Sequence, residues 1–185
     1  MNDALSGGFA APPIESATAF RAMLEAMARP GTIVTLTGAE PPAPLSMAAG
    51  VLLLTLADGT TPLHLAGAHD TPAVRDWVTF HCGAPLVGPA EAVLALGRWE
   101  ALPLAELPIG TPEYPDRSAT VIAELSQLSD EGPALRGPGI ETTARLSLPE
   151  TAFFEANHRL FPLGIDSFLT CGDRLAAVPR STEIC

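Results

Sequence analysis

The residues best suited to chemistry in this chain are its ten basic side chains, all arginines, with no lysine among them. A guanidinium holds an oxyanion through two parallel N–H bonds and keeps its proton at any ordinary pH. Three arginines stand where such a clamp is useful. Arg29 in "ARPGT" ends a helical stretch, Arg180 in "VPRST" follows a strand, and Arg136 opens "RGPGIET". Beside Arg136, the N–H groups of Gly137, Gly139 and Ile140 are the raw material of a phosphate or phosphonate cradle. The same residues also fit a type II turn, with Pro138 fixing φ at the second position and Gly139 supplying φ > 0 at the third. Pro138 has no N–H, Glu141 opposes an anion, and no helix N-terminus follows, so the turn is the expected outcome.

Other candidates carry competing readings. His81 and Cys82 adjoin at the end of a helical stretch, where the dipole favours a cation and disfavours a thiolate. Adjacent helical residues point apart, so they do not chelate one metal. The four histidines, His64, His69, His81 and His158, lack zinc-helix spacing, and no metal site is expected. Asp166 in "FPLGID" lies between a helix and a strand, as an acid at an α/β switch point does, or as a turn cap does. No GxSxG elbow occurs. A free-standing small-molecule enzyme would have to use His81, Cys82 and Asp166. A module that binds an oxyanion would use the arginines instead.

Composition narrows the classes further. The net charge of −11 speaks against nucleic acid as a partner. Without lysine there is no pyridoxal phosphate Schiff base, no Walker A lysine and no imine catalysis. Hydrophobic residues make up 47% and charged residues 17%, which predicts a packed core with apolar surface left for a partner. The three cysteines, Cys82, Cys171 and Cys185, form no CxxC and suit a reducing compartment. The longest apolar run, "AAGVLLLTLA", is too short to span a bilayer, and the N-terminus lacks a secretion signal. A cytoplasmic protein with no membrane contact is expected.

These residues need elements to position them. Residues 1–15 read as a loose leader. A helix follows over "SATAFRAMLEAMARPG", capped by Ser16, with Phe20, Met23, Leu24 and Met27 on its apolar face. "TIVTL" is a strand. "SMAAGVLLLTLAD" is a helix buried on every side. "LHLA" is a strand, and "DTPAVRDWVTFHCG" a helix with Thr71 as cap and Pro72 at its first position. "AVLAL", "ATVIAEL" and "TARLSL" are strands, the last two joined across "RGPGIE". "PETAFFEANHRLFPLG" is a final helix, and "SFLTC" with "RLAAV" a terminal hairpin. The interleaving predicts one α/β domain over 1–185, a three-layer sandwich with helices on both faces of a mixed sheet.

Taken in order, several segments resemble one family. "FRAMLEAMARPGT", "TLADGTTP", "FHCGAP", "GTPEYPDRSATV", "LRGPGI", "FPLGID" and "VPRST" are similar to the PhnH family, a component of the bacterial carbon–phosphorus lyase complex, over nearly the whole chain. The resemblance implies a fold like the pyridoxal phosphate-dependent transferases but without the cofactor. It implies a homodimer in isolation and a core complex with subunits G, I and J. That complex makes ribose 1-alkylphosphonate 5-triphosphate from an alkylphosphonate and a nucleoside triphosphate, in phosphonate catabolism. It supplies no catalytic residue for this chain. The expectation is a structural subunit, with Arg29, His81, Arg136, Asp166 and Arg180 as candidate contacts to an anion or an interface, where phosphonate or nucleotide would bind.

Overall fold

The computed structural model describes residues 6–185. Its elements are α1 (Pro12–Ala28), β1 (Val34–Thr35), α2 (Met47–Leu56), β2 (Leu63–Leu65), α3 (Pro72–His81), β3 (Leu94–Arg98), β4 (Thr120–Glu124), β5 (Ala134–Arg136), β6 (Ala144–Arg145), α4 (Thr151–Arg159), β7 (Asp166–Cys171), β8 (Arg174–Val178) and β9 (Glu183–Ile184). Six strands form a mixed sheet in the order β1-β8-β7-β4-β3-β2. β2, β3, β4 and β7 are parallel, and β8 turns back antiparallel as the closing hairpin. A second, antiparallel sheet has the order β6-β5-β9.

The apolar strands lack a polar face because both faces of the large sheet are covered. Leu94, Leu96, Ile122 and Phe168 point into one core, shared with α1, α2 and α3. Their neighbours Ala95, Val121, Ala123 and Leu169 point into the other. That second core is closed by Phe154 of α4 and by Leu135 and Leu146 of the small-sheet region, so helices alone cover only one face. α2 is buried from Ala48 through Leu53, as its uniformly apolar sequence requires. Ser46 caps it by accepting from the Ala49 N–H at 3.2 Å. Thr71 caps α3 in the same way, accepting from Val74 N–H.

Three expectations need correction. α1 begins at Pro12, because a helix tolerates proline in its first turn, where the missing N–H has no partner anyway. Ser16 is therefore inside the helix, and its hydroxyl donates to the Pro12 carbonyl. Of the expected leader, residues 1–5 lie outside the described residues and 12–15 are helical. The segment between is tied down: Gly7 accepts from the Glu40 N–H, and Ser6 from the Trp77 indole.

The buried face of α1 is Ala19, Met23 and Ala26, whereas Phe20 and Leu24 are 50% and 57% exposed. Finally, β4 pairs with β3 and β7, and the "GPGI" turn instead joins β5 to β6 in the second sheet.

Candidate functional site

Two of the expected contact residues meet. β7 starts at Asp166, and Arg180 follows the end of β8, so the antiparallel pairing of the hairpin sets them side by side. The Arg180 guanidinium donates to both Asp166 carboxylate oxygens, through Nε at 3.1 Å and Nη2 at 2.6 Å. Its backbone N–H donates to the same carboxylate at 2.8 Å. Nη1 donates to the Pro115 carbonyl at 2.8 Å, and Nη2 also donates to the Ser118 hydroxyl at 2.6 Å. Every nitrogen of the fork is engaged with the chain itself. The pair is a clasp that holds the "PEYPDRS" loop to the base of the hairpin.

Arg29 and Arg136 belong to two segments that meet at Gly139. The turn bond from Ile140 N–H to the Gly137 carbonyl is 3.2 Å, and Gly139 has φ +81°, so the type II turn forms as read from the sequence. It lies so close against the end of α1 that a Cβ on Gly139 would overlap the Ala28 carbonyl oxygen. On its other side Gly137 approaches Ser181. "MARPGT", "RGPGI" and "VPRST" thus converge at one corner. Arg29 forms an exposed pair with Glu25 at 3.0 Å. Arg136 is exposed at the edge of β5, with Glu183 of β9 as its register partner.

His81 is elsewhere. Its Nε2 lies 3.2 Å from the Ser6 carbonyl and its ring packs on Trp77 and Phe80. Burial pushes the neighbouring Cys82 thiol up to about 12, and its Sγ–H faces the Leu53 carbonyl. Such a thiol is not a nucleophile at neutral pH. Among the described residues no group of three His, Cys, Asp or Glu side chains is placed to hold a metal ion, and no helix is long and apolar enough to cross a membrane.

One constellation went unread in the sequence. Arg98, Glu124 and Thr170 are register partners at the carboxyl ends of β3, β4 and β7. His69, in the turn after β2, is 2% exposed, and its Nε2 lies 3.9 Å from Glu124 Oε1, beyond hydrogen-bond reach. Neither His69 ring nitrogen has a hydrogen-bond partner among the described residues. Glu124 is also buried, and its Oε1 accepts from the Ser46 N–H at 2.7 Å. Burial, and then the Arg98 charge, hold His69 below the usual imidazole range. Burial pushes the Glu124 carboxyl up, while the Ser46 bonds, Arg98 and Thr170 pull partly back. The available signal was a polar or charged residue closing each of three successive apolar strands.

A family model described as bacterial phosphonate metabolism protein (PhnH) matches residues 7–185. The chain is 38% identical to the alpha-D-ribose 1-methylphosphonate 5-triphosphate synthase subunit PhnH of Rhizobium meliloti (strain 1021), over 97% of this chain and 94% of that protein. It is 33% identical to HtxG of Stutzerimonas stutzeri, named as a candidate C–P lyase subunit, over 96% of this chain and 94% of that protein. The chain belongs to the PhnH family of bacterial phosphonate metabolism proteins.

Proposed function

We propose that this chain is a subunit of a ribose 1-alkylphosphonate 5-triphosphate synthase in phosphonate breakdown, and that it contributes assembly contacts rather than a catalytic centre. The observation that carries the reading is its 38% identity, across 97% of its length, to a protein named as a subunit of that synthase. The geometry supports a non-catalytic role. Arg180 and Asp166 are consumed by their own clasp, Arg29 is paired, and Cys82 is a buried thiol. In this reading the fold is transferase-like, and the lysine-free sequence supports its working without pyridoxal phosphate.

The partners in this reading are subunits G, I and J, with a homodimer when the chain is alone. Phe20, Leu24 and Val93, each about half exposed, line an apolar groove of about 400 Å³ between α1 and the sheet, and supply a surface for such contacts. The test is co-expression with G, I and J in a strain lacking this chain. Co-purification of all four, and growth on methylphosphonate that requires this chain, are expected. Growth without it, or release of adenine from ATP and methylphosphonate by the purified chain alone, would sink the proposal.

A further inference from the structure

The carboxyl ends of β3 and β4 open onto a cleft of about 330 Å³, the lower end of the size range of small-ligand sites. In parallel sheets this edge is where ligands bind. Arg98 lines the cleft with Ser126, Gln127 and Ser147, while two acids, Glu100 and Glu131, also line it. Most arginines of the chain are already committed: Arg180 and Arg75 to aspartates, Arg29 to a glutamate, Arg145 and Arg174 to carbonyls, and Arg117 to the Tyr114 ring. The Arg98 side chain has no hydrogen bond or ion pair among the described residues, and Arg98 is the arginine that lines this cleft. Its strand partner Glu124 is buried and directly precedes the cleft-lining Leu125 in the chain.

We propose that this edge is an oxyanion site, in which Arg98 receives a phosphoryl or phosphonyl group from the cleft and the buried His69–Glu124 pair responds by taking up a proton. Glu100 and Glu131 oppose a bare anion, so binding depends on Arg98 and on the neutral donors Ser126, Gln127 and Ser147. The charged groups around the pair are few. β3 presents Arg98, β7 presents the Thr170 hydroxyl, and α2 presents only the Ser46 N–H because its sequence contains no charged residue. Asp70, next to His69, is held by Arg75.

The sign of the coupling follows from Arg98. Its positive charge lowers the proton affinity of both His69 and Glu124. An anion on Arg98 offsets that charge, so both affinities rise and the pair gains protons. By linkage, the anion binds more tightly as pH falls. The unpartnered Nε2 of His69 then faces Glu124 as the donor of a pair that is completed only when the ring is protonated.

The proposal goes beyond the assembly reading and does not need it, since it concerns the isolated full-length chain. Calorimetric titration with methylphosphonate and, separately, with ATP distinguishes a phosphonate from a nucleotide source. Each titration is run in two buffers of different ionisation enthalpy. At least one probe should saturate, with buffer-dependent heat that reports proton uptake. Arg98→Ala should weaken it about 10- to 100-fold, while Arg21→Ala, an exposed arginine on α1, should not. Glu124→Gln keeps an acceptor for Ser46 and should bind with reduced proton uptake. If neither probe saturates, or if Arg98→Ala binds like the parent chain, there is no site here. Heats that agree between buffers would overturn the proton coupling. Co-purification with G, I and J is read separately, so failure of one idea does not mask failure of the other.

Discussion

Because Arg180 donates to Asp166 through two nitrogens and to Pro115 and Ser118 through the same fork, its removal strands several partly buried acceptors at once. The two side chains are only 14% and 24% exposed, so the pair is not a surface ion pair of small value. Arg180→Met should lower stability by about 2–4 kcal/mol, and Arg180→Lys should recover less than half, because an ammonium cannot reproduce the planar fork. Urea unfolding checks this, and a midpoint within experimental scatter of the parent would contradict it. Cys82 gives a pH-dependent counterpart. Its native thiol is raised to about 12, so the folded chain keeps a proton that the unfolded chain releases. Stability contributed by Cys82 is intact below the ordinary thiol range and falls as pH rises from about 9 towards 12. Cys82→Ala should flatten that alkaline slope in unfolding curves at pH 8 to 11. At pH 8, exposed Cys185 should react with a thiol reagent well before Cys82. At this scale the sequence named Arg180 and Asp166 separately, yet their union depends on the register of the terminal hairpin. Arg98, Glu124 and His69 were overlooked because nothing local marks three residues that are 29 and 26 positions apart in pairs as neighbours; only parallel strand register does.

The elements that were legible are those whose cause is local. A ten-residue helix with no polar face, a two-residue hairpin and a proline–glycine turn each carry their reason in adjacent residues. β5 and β9 were not legible, because strands of three and two residues are specified by their long-range partner rather than by their own pattern. The apolar face of α1 misled for a different reason: periodicity says which residues share a side, not whether the protein or another surface covers it. The "GPGI" turn shows how an element-level role can be tested. Gly139 and Gly172 both have positive φ, at +81° and +63°. A Cβ at Gly172 would meet nothing within 4 Å, whereas one at Gly139 would collide with the Ala28 carbonyl. Gly172→Ala should therefore cost only the backbone term, about 1–2 kcal/mol. Gly139→Ala should cost about 3 kcal/mol or more, since backbone atoms of α1 must move as well. Equal melting temperatures for the two variants would show that the turn is not fixed against α1.

For the whole molecule, the two cores lie on opposite faces of one sheet and already bury the apolar strands, yet Phe20, Leu24 and Val93 remain half in water around a groove that reaches Asp166 and Phe168. An apolar surface that lies outside both cores can be charged without unfolding the chain. Phe20→Glu combined with Leu24→Glu should leave the unfolding midpoint nearly unchanged, within about 0.5 kcal/mol, as exposed substitutions usually do. If the groove is the contact surface, the same double variant should elute as a smaller species on gel filtration, or fail to co-purify with G, I and J. The parent assembly should also persist at about 0.5 M salt, because burial of apolar area is not screened while charge attraction is. Salt resistance matters here because the chain carries a net charge of −11 and like-charged copies repel at low ionic strength. A parent assembly that dissolves in salt would place the contact on charged surface instead. A double variant that assembles normally would remove the groove from the interface and leave the two phenylalanine- and leucine-bearing turns of α1 as ordinary exposed surface.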